Sequence, residues 1–272
     1  MKLSMMTYTM GRGPWGKNPN LEELCRFTRE IGLDAVDWVT THGHPPSEVR
    51  KMTDAFGLKN VCHTFTAFLH RPEPTERQKA LDAVREGLEA ACILGADKIM
   101  IALPGVQGLP REEAQKHGLD GLARAVEMGE NAGVTVTIEH FPGHLSPFVT
   151  SGDINMAARA VPGLRITYDN GNVLTGGENP VDGFTRSSDK IVHAHFKDWI
   201  LSDNGMQGLD GRRYKGALTG EGLVDPAPCL RAMKEGGYDG YINFEYEGDL
   251  YDPSEATRRG VPFLRDLIRN IF

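Results

Sequence analysis

The feature that most restricts the fold is a cadence. Short β-branched and aromatic runs alternate with longer stretches of helical periodicity, eight times along 272 residues. Met1–Tyr8, Ala35–Val39, Val61–Phe65 and Lys98–Leu103 read as the first four strands, and Val134–Glu139, Leu164–Asp169, Ile191–His195 and Tyr241–Glu245 as the last four. Asn20 caps a helix with Leu21, Leu24, Phe27 and Ile31 on one face, and Pro45-Pro46-Ser47 start another that stops near Gly57. Leu81, Val84, Leu88 and Ala91 mark a third over Thr75–Leu94, and Leu119, Leu122 and Val126 a fourth within Arg111–Asn131. Further helices are expected at Ile154–Val161, Asp225–Lys234 and Ser254–Ile271, and a short, broken one between Val173 and Lys190. Units of roughly 30 residues without linkers predict an α/β fold, a single (β/α)8 TIM barrel over residues 1–272. A doubly wound sheet fits less well, since no G-x-G-x-x-G follows the first strand.

Composition bounds the partners. A net charge of -7 disfavours nucleic acid, whose phosphates need a basic footprint. No signal peptide is visible, and no run approaches the ~18 apolar residues of a membrane span. Cys25, Cys62, Cys92 and Cys229 lack C-x-x-C spacing. Cys25 and Cys92 fall in apolar helical patterns and read as buried thiols, so a reducing cytoplasm is expected. The subunit number is left open, a homo-oligomer included.

Chemistry gathers at the ends of the last four strands. They finish Ile138-Glu139-His140, Tyr168-Asp169-Asn170-Gly171-Asn172, His193-Ala194-His195 and Phe244-Glu245-Tyr246-Glu247. In a barrel these ends meet at one mouth, where active sites lie. Alternation puts His193 and His195 on one face of their strand. Taken singly, Glu139 fits a helix cap, Asp169 an Asx turn and Glu245 a salt bridge to a rim arginine. Taken together, three carboxylates and a histidine repel one another unless a cation joins them. An oxygen-rich set with one imidazole suits one divalent ion, Mn²⁺ foremost, with Mg²⁺ or Co²⁺ as alternatives.

Further motifs stand beside this arrangement: Leu21-Glu22-Glu23-Leu24 with Ile31-Gly32-Leu33-Asp34-Ala35-Val36, Thr219-Gly220-Glu221-Gly222 before Gly237–Ile242, and His-x-His-x-Lys-Asp at His193–Asp198. With them the chain resembles, over nearly its whole length, the xylose-isomerase-like superfamily of sugar isomerases and epimerases. That group includes ketose 3-epimerases, hydroxypyruvate isomerase, inosose dehydratase and endonuclease IV. The resemblance implies metal ligands at Glu139, Asp169, His195 and Glu245, with Glu139 and Glu245 as the acid/base pair. The His193–Asp198 motif is most similar to the inosose dehydratase and related keto-sugar branch. Two positions depart from the ketose 3-epimerase pattern: Asn172 stands where many relatives have a substrate-touching histidine, and Leu201 replaces an arginine. Endonuclease IV needs further ligands and a basic face that this chain lacks.

The expected activity is therefore that of a sugar isomerase or epimerase, drawing a proton from beside a carbonyl through an enediolate. The alternative is an inosose dehydratase-like lyase that eliminates water or another β-substituent. His193, Lys197, Asn172, His63 and His140 are the expected substrate contacts, with Asp37 another pocket residue. His193 could instead orient a metal ligand, and Lys197 could pair with Asp198. Trp15, Trp38 and Trp199 are stacking candidates. Leu201–Val224, with Arg212, Arg213 and Lys215, reads as a lid, a phosphate clamp or a solvated surface loop.

Overall fold

Alternation along each strand decides which side chains face the helices and which face the barrel interior. The computed structural model describes residues 1–13, 16 and 18–272; Trp15 lies outside the described residues. The first half of the chain runs β1 (Lys2–Met6), α1 (Thr7–Gly11), α2 (Leu21–Glu30), β2 (Ala35–Val39), α3 (Pro46–Ala55), β3 (Lys59–Thr66), α4 (Pro74–Leu94), β4 (Lys98–Ala102) and α5 (Arg111–Ala132). Next come β5 (Thr135–Glu139), α6 (Ser151–Ala160), β6 (Arg165–Asp169), α7 (Asn170–Thr175), α8 (Pro180–Thr185) and β7 (Ile191–Phe196). The chain ends with β8 (Asp198–Gln207), β9 (Arg213–Ala217), α9 (Pro226–Glu235), β10 (Tyr241–Phe244) and α10 (Pro253–Ile271). Eight parallel strands close a barrel in the order β1-β10-β7-β6-β5-β4-β3-β2. The expected (β/α)8 architecture is present. Among the described residues no helix is long and apolar enough to cross a membrane.

The outward faces carry the apolar residues. Val36 and Trp38, Ile99 and Ile101, Val136 and Ile138, and Ile242 and Phe244 join Leu24, Val84, Leu122 and Leu264 of the helices in one core. Asn20 caps α2 as the sequence predicts, accepting the Glu22 and Glu23 N–H groups. Thr150 and Asp153 form a reciprocal capping box that starts α6 three residues before Ile154. The packing is tight where α10 meets β10: a Cβ on Gly260 would lie 2.2 Å from the Phe244 ring. Gly260→Ala is expected to lose about 1–3 kcal/mol to overpacking despite its better helix propensity. A denaturant melt with unchanged slope checks it; a stabilised variant would contradict this packing.

Three local readings are corrected. The first strand ends at Met6, and Thr7–Gly11 is a short helix. Cys92 is an exposed thiol, whereas Cys25, Cys62 and Cys229 are buried. Within Leu201–Val224, expected to be loop, β8 and β9 form an antiparallel hairpin with Trp199 opposite Gly216 and Leu201 opposite Tyr214. Its anchors are the buried Trp199 and Tyr214, and Gly216 lets it lie against the Glu247 backbone, 2.4 Å from where a Cβ would stand.

Inside the barrel is an unusual polar layer. TIM barrels usually fill this space with branched aliphatics; here Ser4, Asp37, Thr137, Thr167, His193 and Asn243 are buried. Burial without partners would be costly, and hydrogen bonds answer much of it. Thr137 and Thr167 hydroxyls are 2.8 Å apart, His193 Nε2 is 2.8 Å from Asp37 Oδ2, and Ser4 Oγ donates to the same oxygen at 3.2 Å.

Candidate active site

Above the polar layer, the inward residues at the strand ends come together. Glu139 ends β5, Asp169 ends β6 and His195 lies on β7. Each contributes one ligand atom, all within 4.8 Å of one another. His195 Nδ1 is 3.2 Å from Glu139 Oε2 and 3.7 Å from Glu245 Oε2. Asp169 caps the first turn of α7: the Asn172 N–H donates to Oδ1 at 2.8 Å and its Nδ2 to Oδ2 at 2.9 Å. Asn172, expected at the substrate, instead fixes this carboxylate.

Lys197 completes the cluster from two residues beyond His195. Its Nζ lies 2.6 Å from Glu247, 3.0 Å from Glu245 and 3.3 Å from Asp169. Lys197 is buried, and its ammonium balances carboxylates at the ends of β6 and β10, the strands on either side of β7. Asp198 does not pair with it. Its oxygens accept the backbone N–H groups of Trp199, Gly220, Gly222 and Val224, at 2.8–3.0 Å. That ties the base of the hairpin to the loop before α9.

Burial sets the ionisation. It pushes the carboxyls of Glu139 and Asp169 up to about 7, against the pull of Lys197. Glu245 is raised well above the usual carboxylate range for the same reason. Burial lowers His195 to about 4, leaving a neutral imidazole able to ligate. Burial opposes the charges of Lys197 and Glu247 as well. Attraction wins in both: Asp169, Glu245 and Glu247 hold Lys197 above its ordinary value, and Lys197 holds Glu247 below its own.

The cluster forms one wall of a cavity of about 430 Å³, lined on that side by Glu139, His195, Lys197, Glu245 and Glu247. The opposite wall carries Met6, Val39, Thr64, Thr66, Met100 and Ala102 from β1–β4, and Phe141 and Met206 stand at the rim. Glu247 is the site residue that reading by motif misses; its signal is the Glu-x-Glu repeat matching His-x-His on the neighbouring strand.

Other expected contacts lie elsewhere. His63 follows the outward parity of β3, its ring 5.6 Å from Phe65, while Thr64 and Thr66 face the cavity. His140 comes directly after the inward Glu139, so it points outward and packs edge-on to Tyr168 at 6.0 Å. Neither lines the cavity. His193 and Asp37 lie in the polar layer, with the His193 ring edge-on to His195 at 5.2 Å. Trp38 faces outward and donates to Asn60 at 2.8 Å; Trp199, within β8 of the hairpin, is buried and does not line the cavity. Arg212 pairs with Asp210, Arg213 with the Gly205 carbonyl and Lys215 with Asp249. None of these basic residues lines the cavity.

Known proteins are similar to this chain in sequence or in fold. An inosose dehydratase of Lacticaseibacillus casei is 28% identical, covering 93% of each chain. The crystal structure of an IolI protein with a binding zinc atom superposes with a TM-score of 0.83 at 19% identity, covering 100% of this chain and 99% of that one. An L-ribulose 3-epimerase structure gives 0.82 at 14% identity, covering 100% and 96%. The family model described as the xylose isomerase-like TIM barrel matches residues 25–267, and this chain belongs to that family.

Proposed function

We propose that the chain is a divalent-metal-dependent lyase of the inosose dehydratase type, which removes water from a cyclic keto-polyol. The observation that carries this reading is the convergence of Glu139, Asp169 and His195, with Glu245 beside them, at the mouth of the barrel. Similarity to an inosose dehydratase over 93% of both chains supports elimination as the exit. The isomerase or epimerase reading shares the first proton transfer and differs only in the fate of the enediolate. Its structural counterparts are alike in fold alone.

The residues suit a metal. The donor set is oxygen and nitrogen, His195 is neutral, and Glu245 Oε2 is buried without a hydrogen-bond partner. Glu139, Asp169, His195 and Glu245 would hold the ion, and the zinc of the IolI structure is consistent with a divalent site. Such an ion supplies Lewis acidity at a carbonyl oxygen, easing loss of the neighbouring proton.

The chain's own groups would move the protons. One of Glu139 and Glu245, ionised, takes the proton from the carbon next to the carbonyl. The C–H electron pair becomes the new C=C bond, and the β C–O bond breaks with its pair leaving on oxygen. The other glutamate, protonated, donates to that oxygen and releases water. Two carboxylates on one wall of the cavity suit a pair sharing the acid and base roles. Lys197 and Glu247 border the same wall, where the ammonium can steady negative charge on the substrate. Asp37 accepts from His193 beneath His195 and supports its strand position.

Incubation of Mn²⁺-loaded protein with an inosose, monitored by ultraviolet absorbance and by proton exchange in D₂O, tests the reading. A conjugated carbonyl product is expected; deuterium exchange with inversion and no absorbing product would restore the epimerase. Metal uptake also has an expected pH dependence. Protons and metal compete for Glu139 and Asp169, both near 7, so affinity falls as pH falls below 7. Two such groups give about a 100-fold loss between pH 8 and pH 6, to which Glu245, raised further, adds; calorimetry measures it. A pH-independent affinity would remove these carboxylates from the ligand set.

A further inference from the structure

We infer that the substrate is a cyclic keto-polyol carrying an apolar substituent, which packs on the wall opposite the carboxylates; this rests on the lyase reading above. The cavity is divided by strand. β5, β7 and the end of β10 contribute the charged side chains, and β1, β2 and β4 contribute Met6, Val39, Met100 and Ala102. A second feature sets the apolar side apart. Cys62, Met100 and Ala102 form a hydrophobic cluster inside the barrel, separate from the main core, with Phe141 packed against it. Met206 extends this surface from the hairpin at the rim.

A ring with a hydroxyl on every remaining carbon is poorly served by such a wall. The hydroxyl-bearing side chains outside the charged side are Tyr8, Thr64 and Thr66. Hydroxyls turned toward methionine, valine and alanine would lose water without gaining a partner. An alkyl or aryl group gains there by leaving water. The charged wall then takes the keto and leaving-group side of the ring, and the apolar wall takes the substituent.

Calorimetry on the Mn²⁺-loaded protein with an inosose and its mono-O-benzyl ethers, run beside D₂O exchange and ultraviolet absorbance on the same compounds, tests the inference. At least one ether should bind about 10- to 100-fold more tightly than the bare ring, the gain from burying one aryl group. Met206→Gln and Val39→Thr, both at half-buried positions outside the charged cluster, should each reduce that ratio several-fold, weakening the ether and not the bare ring, whose hydroxyls gain a polar partner on that wall. An ultraviolet-absorbing elimination product from the bare ring, with equal or tighter binding, overturns the inference and leaves the lyase standing. Tighter binding of an ether, weakened by Met206→Gln but with neither exchange nor absorbing product from any compound, keeps the apolar wall and removes the lyase. Binding of none overturns both.

Discussion

Glu139→Gln and Glu245→Gln are each expected to lower turnover of the metal-loaded protein by about 10²–10⁴-fold, the usual loss for a positioned acid/base group. Glutamine keeps the size and one ligating oxygen, so metal content and thermal stability should change little. The two variants should differ in what survives. The one that retains the proton-abstracting carboxylate can still exchange substrate hydrogen with D₂O while failing to expel water. The other should do neither. Stopped-flow absorbance and mass spectrometry of recovered substrate distinguish them. Full turnover in either variant would reduce that carboxylate to a ligand. The base would then be sought in Lys197 or Glu247, which line the cavity, rather than in His193 or His140, which do not.

Lys197→Met is expected to have the largest effect on stability. The ammonium lies within 3.3 Å of Asp169, Glu245 and Glu247. Removing one partner from a buried ionic group typically loses about 3–5 kcal/mol, because the remaining charges are neither solvated nor paired. The metal-free variant should therefore unfold at lower denaturant. The sign with pH comes from burial: without Lys197 the carboxyls of Asp169 and Glu245, already raised, rise further. Their folded forms hold protons that the unfolded chain has released, so stability falls as pH rises through the folded-state values. The deficit should be smaller at pH 5 than at pH 8, and a divalent ion should offset part of it by binding the folded state. An equal deficit at both pH values, unaffected by metal, would mean that Lys197 acts by packing alone.

How far the site is legible from sequence depends on the range of the interaction. The strand-then-helix cadence predicts the barrel because each run must bury an apolar face, and a parallel strand needs a helical crossover. Once the strands are placed, parity alone puts Glu139, Asp169, His195 and Glu245 on the interior side. The same parity turns His140 outward, and choosing it by residue type overlooks that rule. His63 fails for the same reason. Likeness to a substrate histidine points Asn172 at the substrate, whereas its place in the first turn after Asp169 makes it a partner of that carboxylate.

Only the closed barrel decided the rest. Lys197 meets Glu247 across 50 positions of sequence, and Asp37 meets His193 across 156. No local pattern encodes such pairs, because they arise from the circular order of strands and their register. The hairpin is hidden in a glycine-rich segment whose register is set by Trp199 and Tyr214 packing on the barrel. The contrast between the charged and apolar walls belongs to the same class. Local alternation determined which residues face inward; closure of the sheet determined which stand opposite one another, since cross-barrel distances depend on strand order and not on neighbours in the chain.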